Sequence, residues 1–305
     1  MSQPTITALA KAYPHDPKHL HSVIVPQLTH RLRLASVWSI APSSRVLDIG
    51  CGQGDSALVL AHTVSGSDGE AGSAAAGHVT ALDPAPGDYG SPYTLAQAQA
   101  YISSSEYGSR ITFHQADAPS YLSSHSEDRF DVATLCHSLW YFPSQEAVSS
   151  LFTALHSSGQ VQKLCFAEYS LKASKPSQIP HELAVEAQRR FHTLRADRGF
   201  TLDQSNVRGA LAPEELIRLA EQQAGWKLQE KGSVDTPGLL DGRWEVGAVV
   251  DPSWTEEVLG EKLGQEAEEE LLGYVGRIKE AADELKQKGE GTETLDAVWV
   301  VMQRS

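Results

Sequence analysis

The sequence predicts an α/β fold: a doubly wound, mostly parallel, seven-stranded sheet. Strand-like and helix-like segments alternate from about residue 45 to residue 171, and the strands are short, continuous apolar runs. A glycine-rich turn joins the first of these strands to the helix that follows it. Continuous apolar runs are typical of strands covered by helices on both faces, and the alternation indicates parallel strands linked by crossover helices.

The individual elements follow from this pattern. Strands are predicted at residues 45–49, 78–82, 111–115, 131–135, 164–168, 226–234 and 295–302. Helices are predicted at residues 55–64, 93–104, 144–156, 180–195 and 213–224. Residues 253–288 form an acidic segment whose apolar residues recur at helical spacing, which predicts one long helix between the last two strands.

The chain divides into four regions. Residues 1–40 are a helical extension, and the periodic stretch within it lies either over the ligand mouth or on a sheet face. Residues 41–171 are the ligand-binding core, residues 172–225 are inserted helices that cap the substrate, and residues 226–305 complete the sheet around the 253–288 insertion. The small residues of the stretch 66–77 predict a surface loop.

Composition excludes several classes of function. The net charge of −14 argues against nucleic acid as a partner, because proteins that bind phosphates need a basic face. Cys51, Cys136 and Cys165 lie in or beside apolar runs and cannot form a complete disulfide framework, which indicates a reducing, cytoplasmic location. There is no apolar run of about 18 residues, so no membrane span is expected.

The glycine turn is the most informative segment. It reads VLDIGCGQGD, with Gly50, Gly52 and Gly54 where the first strand turns into a helix. Missing Cβ atoms let the backbone approach a ligand closely. In a dinucleotide fingerprint the third glycine would stand at Asp55, and a carboxylate there would repel a diphosphate. With Asp48 nearby, the turn instead favours a ligand that carries a cation, such as the ammonium of a methionine moiety.

This turn resembles the first motif of class I S-adenosylmethionine-dependent methyltransferases. The resemblance implies a Rossmann-like methyltransferase fold and an acid at the end of the second strand that binds the ribose hydroxyls. Asp83 stands there, 35 residues after Asp48, or 23 once the twelve residues 66–77 are subtracted. A carboxylate that accepts two hydroxyls suits a ribose. The alternative is that Asp83 is only a strand-end cap.

The same family places an acid beyond the third strand, close to the adenine. Asp117 fits as acceptor of the adenine amino group, and Ala118 fits as donor of a backbone amide. The resemblance thus implies S-adenosylmethionine as cofactor and S-adenosylhomocysteine as product, with no metal. The implied cofactor-binding residues are Asp48, Gly50, Cys51, Gly52, Gly54, Asp83, Pro84, Asp117, Ala118 and His137.

The segment after the fourth strand, residues 135–143, is expected to face the methyl group, because ligands of such sheets bind beyond the carboxyl ends of the strands. It lacks both the Asp/Asn-Pro-Pro-Tyr/Phe run of base-methylating enzymes and the aspartate of magnesium-dependent ones. His137 is the candidate catalytic base, or alternatively packs against the cofactor. The candidate substrate-binding residues are Trp140, Tyr141, Glu168 and Tyr169, with core packing as their alternative.

These observations favour transfer of a methyl group to an oxygen, rather than a nitrogen, of a small aromatic or alkaloid-like metabolite. Similar segments occur in fungal natural-product methyltransferases. Their C-terminal part has a run like residues 243–246, interpreted here as a structural turn. Two other functions stay open, because a fold alone does not separate them. The first is methylation of a protein, and the second is a cofactor-binding regulatory module without turnover.

Overall fold

The computed structural model describes residues 3–65, 77–195 and 207–305. Seven strands form one sheet in the order β3-β2-β1-β4-β5-β7-β6. The strands are β1 (Arg45–Ile49), β2 (His78–Asp83), β3 (Ile111–Gln115), β4 (Phe130–Cys136), β5 (Val161–Tyr169), β6 (Trp226–Val234) and β7 (Ala297–Arg304). Strands β1 to β5 pair in parallel, and β7 runs antiparallel to both of its neighbours. The predicted fold class is confirmed.

Helices cover both faces of this sheet. The described residues form α1 (Gln3–Lys11), α2 (Val25–Val37), α3 (Asp55–Ser65), α4 (Leu95–Ser103), α5 (Ala118–Ser124), α6 (Gln145–Ser157), α7 (Ile179–Arg195), α8 (Pro213–Gln222), α9 (Asp241–Val250), α10 (Pro252–Gly260) and α11 (Gln265–Gln287). None of them is long and apolar enough to cross a membrane.

Strand β1 shows how the sheet divides the core. Side chains alternate across a strand, so consecutive residues face opposite sides. Val46 is buried in a cluster with residues of α1, α2 and α3, whereas Leu47 is buried in a second cluster with residues of α5, α6 and α8. Both side chains are completely buried. The two apolar clusters therefore fix the sheet between two helical layers and hold the end of β1 in place.

The structure differs from the sequence prediction in several segments: helix α5 was not predicted, the last strand lies at Ala297–Arg304 and not at 295–302, and two larger differences concern the helices between β6 and β7. The single helix predicted at 253–288 is two helices, α10 and α11, because the backbone between them turns through left-handed conformations at Lys262 (φ 52°) and Gly264 (φ 101°). The turn predicted at residues 243–246 lies within helix α9. Residues 66–76 of the predicted surface loop lie outside the described residues.

A separate helical cap forms from α7, α9, α10 and α11. These helices share a small apolar core of their own, in which the ring of Phe191 contacts the edge of Trp254 at a centroid distance of 5.0 Å. Helix α7 follows β5 directly, whereas α9 to α11 lie between β6 and β7. Two stretches that are far apart in the sequence therefore build one unit. The cap places α9 beside the carboxyl end of β5.

Candidate functional site

The glycine turn after β1 has the geometry of a ligand cradle. Gly50 (φ 70°) and Gly52 (φ 52°) adopt left-handed conformations that favour glycine. A Cβ on Gly50 would lie 2.6 Å from the Cβ of Ser138, so this position tolerates no side chain. A Cβ on Gly52 would meet nothing within 4 Å. Gly52 therefore presents bare backbone to open space, as close approach of a ligand requires.

Asp83 ends β2 directly beside this turn. Its Oδ2 accepts a hydrogen bond from the Gly52 amide at 2.8 Å, and its Oδ1 accepts one from the Ala85 amide at 2.9 Å. The two bonds fix the carboxylate at the rim of a cavity of about 530 Å³ that both Asp83 and Gly52 line. Each carboxylate oxygen keeps acceptor capacity for a further donor. Asp83 is therefore placed to bind a diol such as a ribose.

The cavity brings together most of the residues predicted for the cofactor. It is lined by the predicted residues Gly50, Gly52, Asp83, Pro84, Asp117, Ala118 and Tyr141, and by the unpredicted residues Ile49, Leu82, Ala85, Tyr89, Ala116, Pro119, Ser138, Phe142, Pro143, Ala147, Ser150, Leu151 and Arg208. Cys51, Gly54, His137, Trp140, Glu168 and Tyr169 lie behind these walls or beyond them. Their roles stay predictions.

Asp48 is buried below the glycine turn, where its carboxylate accepts two hydrogen bonds. Its carboxylate is buried and accepts hydrogen bonds from the Ser56 hydroxyl at 2.6 Å and the Thr134 hydroxyl at 2.9 Å. Burial outweighs these bonds and raises the pKa of Asp48 to about 6. Both carboxylate oxygens are thus engaged within the protein. A direct contact with a cofactor ammonium, as predicted for Asp48, stays a prediction.

Asp55 begins α3 and is paired with a cation that the sequence did not reveal. Its Oδ2 lies 3.0 Å from Nε of Arg31, whose side chain on α2 is nearly buried. The repulsion that we expected between Asp55 and a diphosphate is therefore partly balanced. Asp55 and Arg31 thus form an ion pair beside the turn, and neither is among the residues that line the cavity.

Asp117 and Ala118 lie where α5 begins. Asp117 caps the helix: its Oδ1 accepts from the Ser120 amide and its Oδ2 from the Ser120 hydroxyl, both at 2.8 Å. Asp117 and Ala118 nonetheless line the cavity, on the side opposite the glycine turn along the strand ends. The capping fixes the carboxylate in place. Their predicted contacts with an adenine ring stay predictions.

His137 follows β4 in a left-handed conformation (φ 54°), which is uncommon for a residue with a side chain. Its Nε2 lies 2.8 Å from Nε2 of His30 on α2, and its Nδ1 lies 3.4 Å from Oε1 of Glu168. Burial lowers the pKa of both imidazoles, so both are neutral at physiological pH. One Nε2 must then donate to the other, which makes the three side chains a single hydrogen-bonded chain.

Glu168 anchors this chain. Its Oε2 accepts from the amides of Leu139 and Trp140 at 3.0 and 3.2 Å, and its Oε1 accepts from the Tyr169 amide at 3.0 Å. Burial nevertheless raises the pKa of Glu168 to about 8, because desolvation outweighs the three amide donors. Glu168 is thus a positioning group for the segment after β4 and for His137.

Aromatic rings surround the imidazole of His137. The Tyr169 ring stacks on it at a centroid distance of 4.1 Å, and Trp140 and His181 meet Tyr169 edge-on at 5.5 and 5.9 Å. Trp140 Nε1, His181 Nε2 and His30 Nδ1 are buried without a hydrogen-bond partner in the described part of the chain, and the Tyr169 hydroxyl lies beside Asp241.

Two of the groups missed from the sequence, His30 and Arg31, lie on α2. Helical periodicity shows which residues of α2 are buried, but not that its polar residues reach the ends of β4 and α3. Consecutive residues on one helix point in different directions, so His30 contacts His137 while Arg31 contacts Asp55. The available signal was the run of polar residues Thr29–Arg31 within the helix.

Comparisons with known proteins agree with this geometry. A family profile described as a methyltransferase domain matches residues 46–159. Two proteins from Diaporthe leptostromiformis, Methyltransferase phomM' and Methyltransferase phomM, are each 33% identical to the chain over an alignment of 344 residues. The alignment covers 96% of this chain and 87% of theirs.

Solved structures show the same fold. A cyclopropane-fatty-acyl-phospholipid synthase-like protein from Lactobacillus casei ATCC 334 superposes with a TM-score of 0.79 at 27% identity, covering 99% of this chain and 100% of that one. The cyclopropane synthase MmaA2 from Mycobacterium tuberculosis has a TM-score of 0.51 at 11% identity, covering 97% and 93%. The glycine turn, the Asp83 carboxylate and the fungal relatives lead to one conclusion. The chain belongs to the class I S-adenosylmethionine-dependent methyltransferases.

Proposed function

We propose that this methyltransferase transfers the methyl group to an oxygen of a small, aromatic, alkaloid-like metabolite. The observation that carries the proposal is the cavity of about 530 Å³ at the carboxyl ends of β1, β2 and β4, in which Asp83 and bare Gly52 backbone meet aromatic side chains. Pockets of this size suit small molecules. Tyr89, Tyr141 and Phe142 also line it, and their flat faces suit a planar acceptor.

The residues around the glycine turn fit S-adenosylmethionine. Asp83 has acceptor capacity for the two ribose hydroxyls, and Gly52 leaves room for the ligand. Asp55 and Arg31 offer an anion and a cation for the ammonium and carboxylate of the methionine part. When bound, the cofactor supplies a methyl carbon that its sulfonium activates for displacement. The protein then has to align the acceptor and exclude water.

A hydroxyl acceptor must lose its proton during transfer, which requires a base. His137 has the chemistry for that role, because burial keeps its imidazole neutral and hence able to accept a proton. Both of its ring nitrogens are engaged, Nε2 with His30 and Nδ1 with Glu168. The proton of the acceptor would therefore go to Nδ1 of His30, and the Nε2 proton of His30 would pass to Nε2 of His137. Glu168, whose Oε1 lies 3.4 Å from Nδ1 of His137, would hold the ring in position during this transfer.

Isothermal calorimetry with S-adenosylmethionine, S-adenosylhomocysteine and NAD tests the cofactor. We expect the first two to bind and NAD to bind weakly or not at all; tighter binding of NAD would overturn the proposal. Incubation of the protein and S-adenosylmethionine with aromatic alkaloids and phenols, read by mass spectrometry, then tests the acceptor. The chemical shift of the transferred methyl carbon distinguishes an oxygen from a nitrogen acceptor.

A further inference from the structure

We propose that the methyl acceptor carries a carboxylate, and that the guanidinium of Arg208 binds it in the cavity described above. The inference rests on the proposed function, since it names a chemical group on the substrate of the same site. It narrows the aromatic metabolite to one with an acidic group that is separate from the oxygen that receives the methyl. The observation behind it is that Arg208 lines the cavity.

Arg208 is held at the cavity by backbone contacts with the segment after β4. Its amide donates a hydrogen bond to the Trp140 carbonyl at 2.9 Å, and the next amide, that of Gly209, donates to the Phe142 carbonyl at 3.0 Å. A Cβ on Gly209 would lie 2.9 Å from the Phe142 carbonyl oxygen, so the two backbones pack directly on each other. The residues before and after this pair are buried. The side chain of Arg208 therefore starts from a fixed point beside the segment that is expected to face the acceptor.

The charged residues that line the cavity are two acids and one base. Asp83 and Asp117 each accept two hydrogen bonds from amides or hydroxyls, which fix both carboxylates at the strand ends. Among the lining residues in the described part of the chain, Arg208 is the only lysine or arginine. Its side chain is partly buried, and burial lowers the pKa of the guanidinium from its ordinary value. An arginine nevertheless keeps its charge at physiological pH, so the cavity wall carries a partly desolvated cation.

The cofactor does not account for this cation. In the proposed function the glycine turn takes the methionine part, while Asp83 and Asp117 take the ribose and the adenine, which carry no charge. The sulfonium is itself a cation, so an arginine close to it would repel the cofactor. The segment beside Arg208, residues 140–142, is instead the one expected to face the acceptor. An anion on the acceptor is therefore the ligand that this guanidinium fits.

A carboxylate on a planar ring matches the surroundings of Arg208. A guanidinium has five N–H donors in a rigid plane, so it can bind both oxygens of one carboxylate and still keep a contact with the protein. Tyr89 also lines the cavity, and its hydroxyl is close enough to affect the pKa of Arg208. Tyr141 and Phe142 supply further ring faces. An aromatic acid thus has rings to contact with its planar part and a guanidinium to bind its carboxylate.

Three pairs of probes test this inference, each an aromatic acid and its amide: indoleacetate and indoleacetamide, salicylate and salicylamide, and quinaldate and quinaldamide. Acid and amide have nearly the same shape and differ in charge. With S-adenosylhomocysteine present, we expect calorimetry to show the acid of at least one pair binding at least about tenfold more tightly than its amide, the effect of one charge-assisted hydrogen bond. If no acid binds more tightly than its amide, the inference is wrong.

Variants assign the preference for the acid to one residue. Arg208→Gln should remove it, and Arg208→Lys, which keeps a positive charge but not the planar fork, should retain part of it. Arg218→Gln, the same charge change at an exposed site on α8, should leave the preference intact. The melting temperatures of the three variants show whether each folds.

The affinity for S-adenosylhomocysteine separates this inference from the proposed function. We expect it to be unchanged in all three variants, because Arg208 binds the acceptor and not the cofactor. If Arg208→Gln weakens binding of S-adenosylhomocysteine as much as binding of the acid, Arg208 serves the cofactor and the inference is wrong. If the wild type fails to bind S-adenosylhomocysteine, the proposed function fails. If the wild type binds it but Arg208→Gln keeps the preference for the acid, only the inference about Arg208 fails.

Discussion

The cofactor side of the molecule and the helical cap encode their chemistry in different ways. On the cofactor side, the glycine turn, Asp83 and Asp117 each lie at the carboxyl end of one of three neighbouring parallel strands, so their order along the chain predicts that they are close in space. In the cap, Gln188 of α7 and Glu245 of α9 are 57 residues apart and are joined by a hydrogen bond of 2.6 Å. Contiguous motifs reveal the first region, and only the folded chain reveals the second.

The largest effect is expected at the centre of the cofactor side. Asp83→Ala removes the acceptor for two ribose hydroxyls and leaves the Gly52 and Ala85 amides without their partner. Two charge-assisted hydrogen bonds, at about 1.5–3 kcal/mol each, predict a loss of S-adenosylmethionine affinity on the order of a thousandfold. Calorimetry checks the dissociation constant. Asp88→Ala, an exposed acid five residues further on, should bind like the wild type.

Unchanged affinity in Asp83→Ala would mean that the ribose is held elsewhere. The strand-end motif would then not identify the site, and the contrast between the two regions would be lost.

The elements predicted correctly are those whose own residues favour the observed secondary structure. Strands β1, β3 and β6 begin and end where their apolar runs predict. Helix α9 was missed because Gly242 and Gly247 lower its helix propensity, so packing against α7 has to stabilise it. The break between α10 and α11 was missed because apolar residues keep helical spacing on both sides of it. Tertiary contacts decide both cases.

The residues of the candidate site show the same contrast between those that the local sequence predicts and those that tertiary packing brings in. The position of Asp83 at the cavity rim follows from strand order alone, and Tyr141 was expected to face the acceptor. His30, Arg31 and Asp241 could not be predicted, because each reaches the site from an element outside the consecutive strand ends of the motif. A sequence shows which residues are polar. It does not show which of them will point toward the same strand end once the helices have packed.

A second prediction concerns His137, which connects the two regions. His137→Asn removes the imidazole but keeps a residue that tolerates the left-handed backbone at this position. General base catalysis is worth at least about a hundredfold, so turnover of the acceptor should fall by about that factor while the cofactor dissociation constant changes little. His78→Asn, on the half-exposed start of β2, is the matched control.

The hydrogen-bonded chain of His30, His137 and Glu168 allows a sharper test of the same role, by comparing single and double variants. If His30 and His137 act as one unit, His30→Phe should cost about as much as His137→Asn, and the double variant should cost little more than either. Because burial keeps both imidazoles neutral, neither histidine should titrate in the pH profile of turnover between pH 6 and 8, and any step in that range should follow Glu168, whose pKa is about 8. Full turnover in His137→Asn would show that the acceptor needs no base from this chain.

The smallest expected effect is the pH dependence of stability that Glu168 causes. Its pKa is about 8 in the folded protein, against the ordinary value of 4.5 that applies in the unfolded chain. Between these values the folded state holds a proton that the unfolded state has released, so the free energy of unfolding should fall as pH rises through this window. One fully coupled proton is worth about 1.4 kcal/mol per pH unit, so we expect a loss of at least about 1 kcal/mol between pH 5.5 and 7.5.

Denaturant unfolding of Glu168→Gln measures this contribution. The amide does not titrate, so the variant should show a flatter decline over the same pH window, even if lost hydrogen bonds lower its stability at every pH. Other acids with a raised pKa, Asp48, Asp241 and Glu245, remain in the variant and keep part of the slope. Glu280→Gln, an exposed change on α11, should retain the wild-type slope. An identical slope in Glu168→Gln would place the ionised form of Glu168 in the folded state at neutral pH. The amide donors of Leu139, Trp140 and Tyr169 would then outweigh the cost of burying the charge.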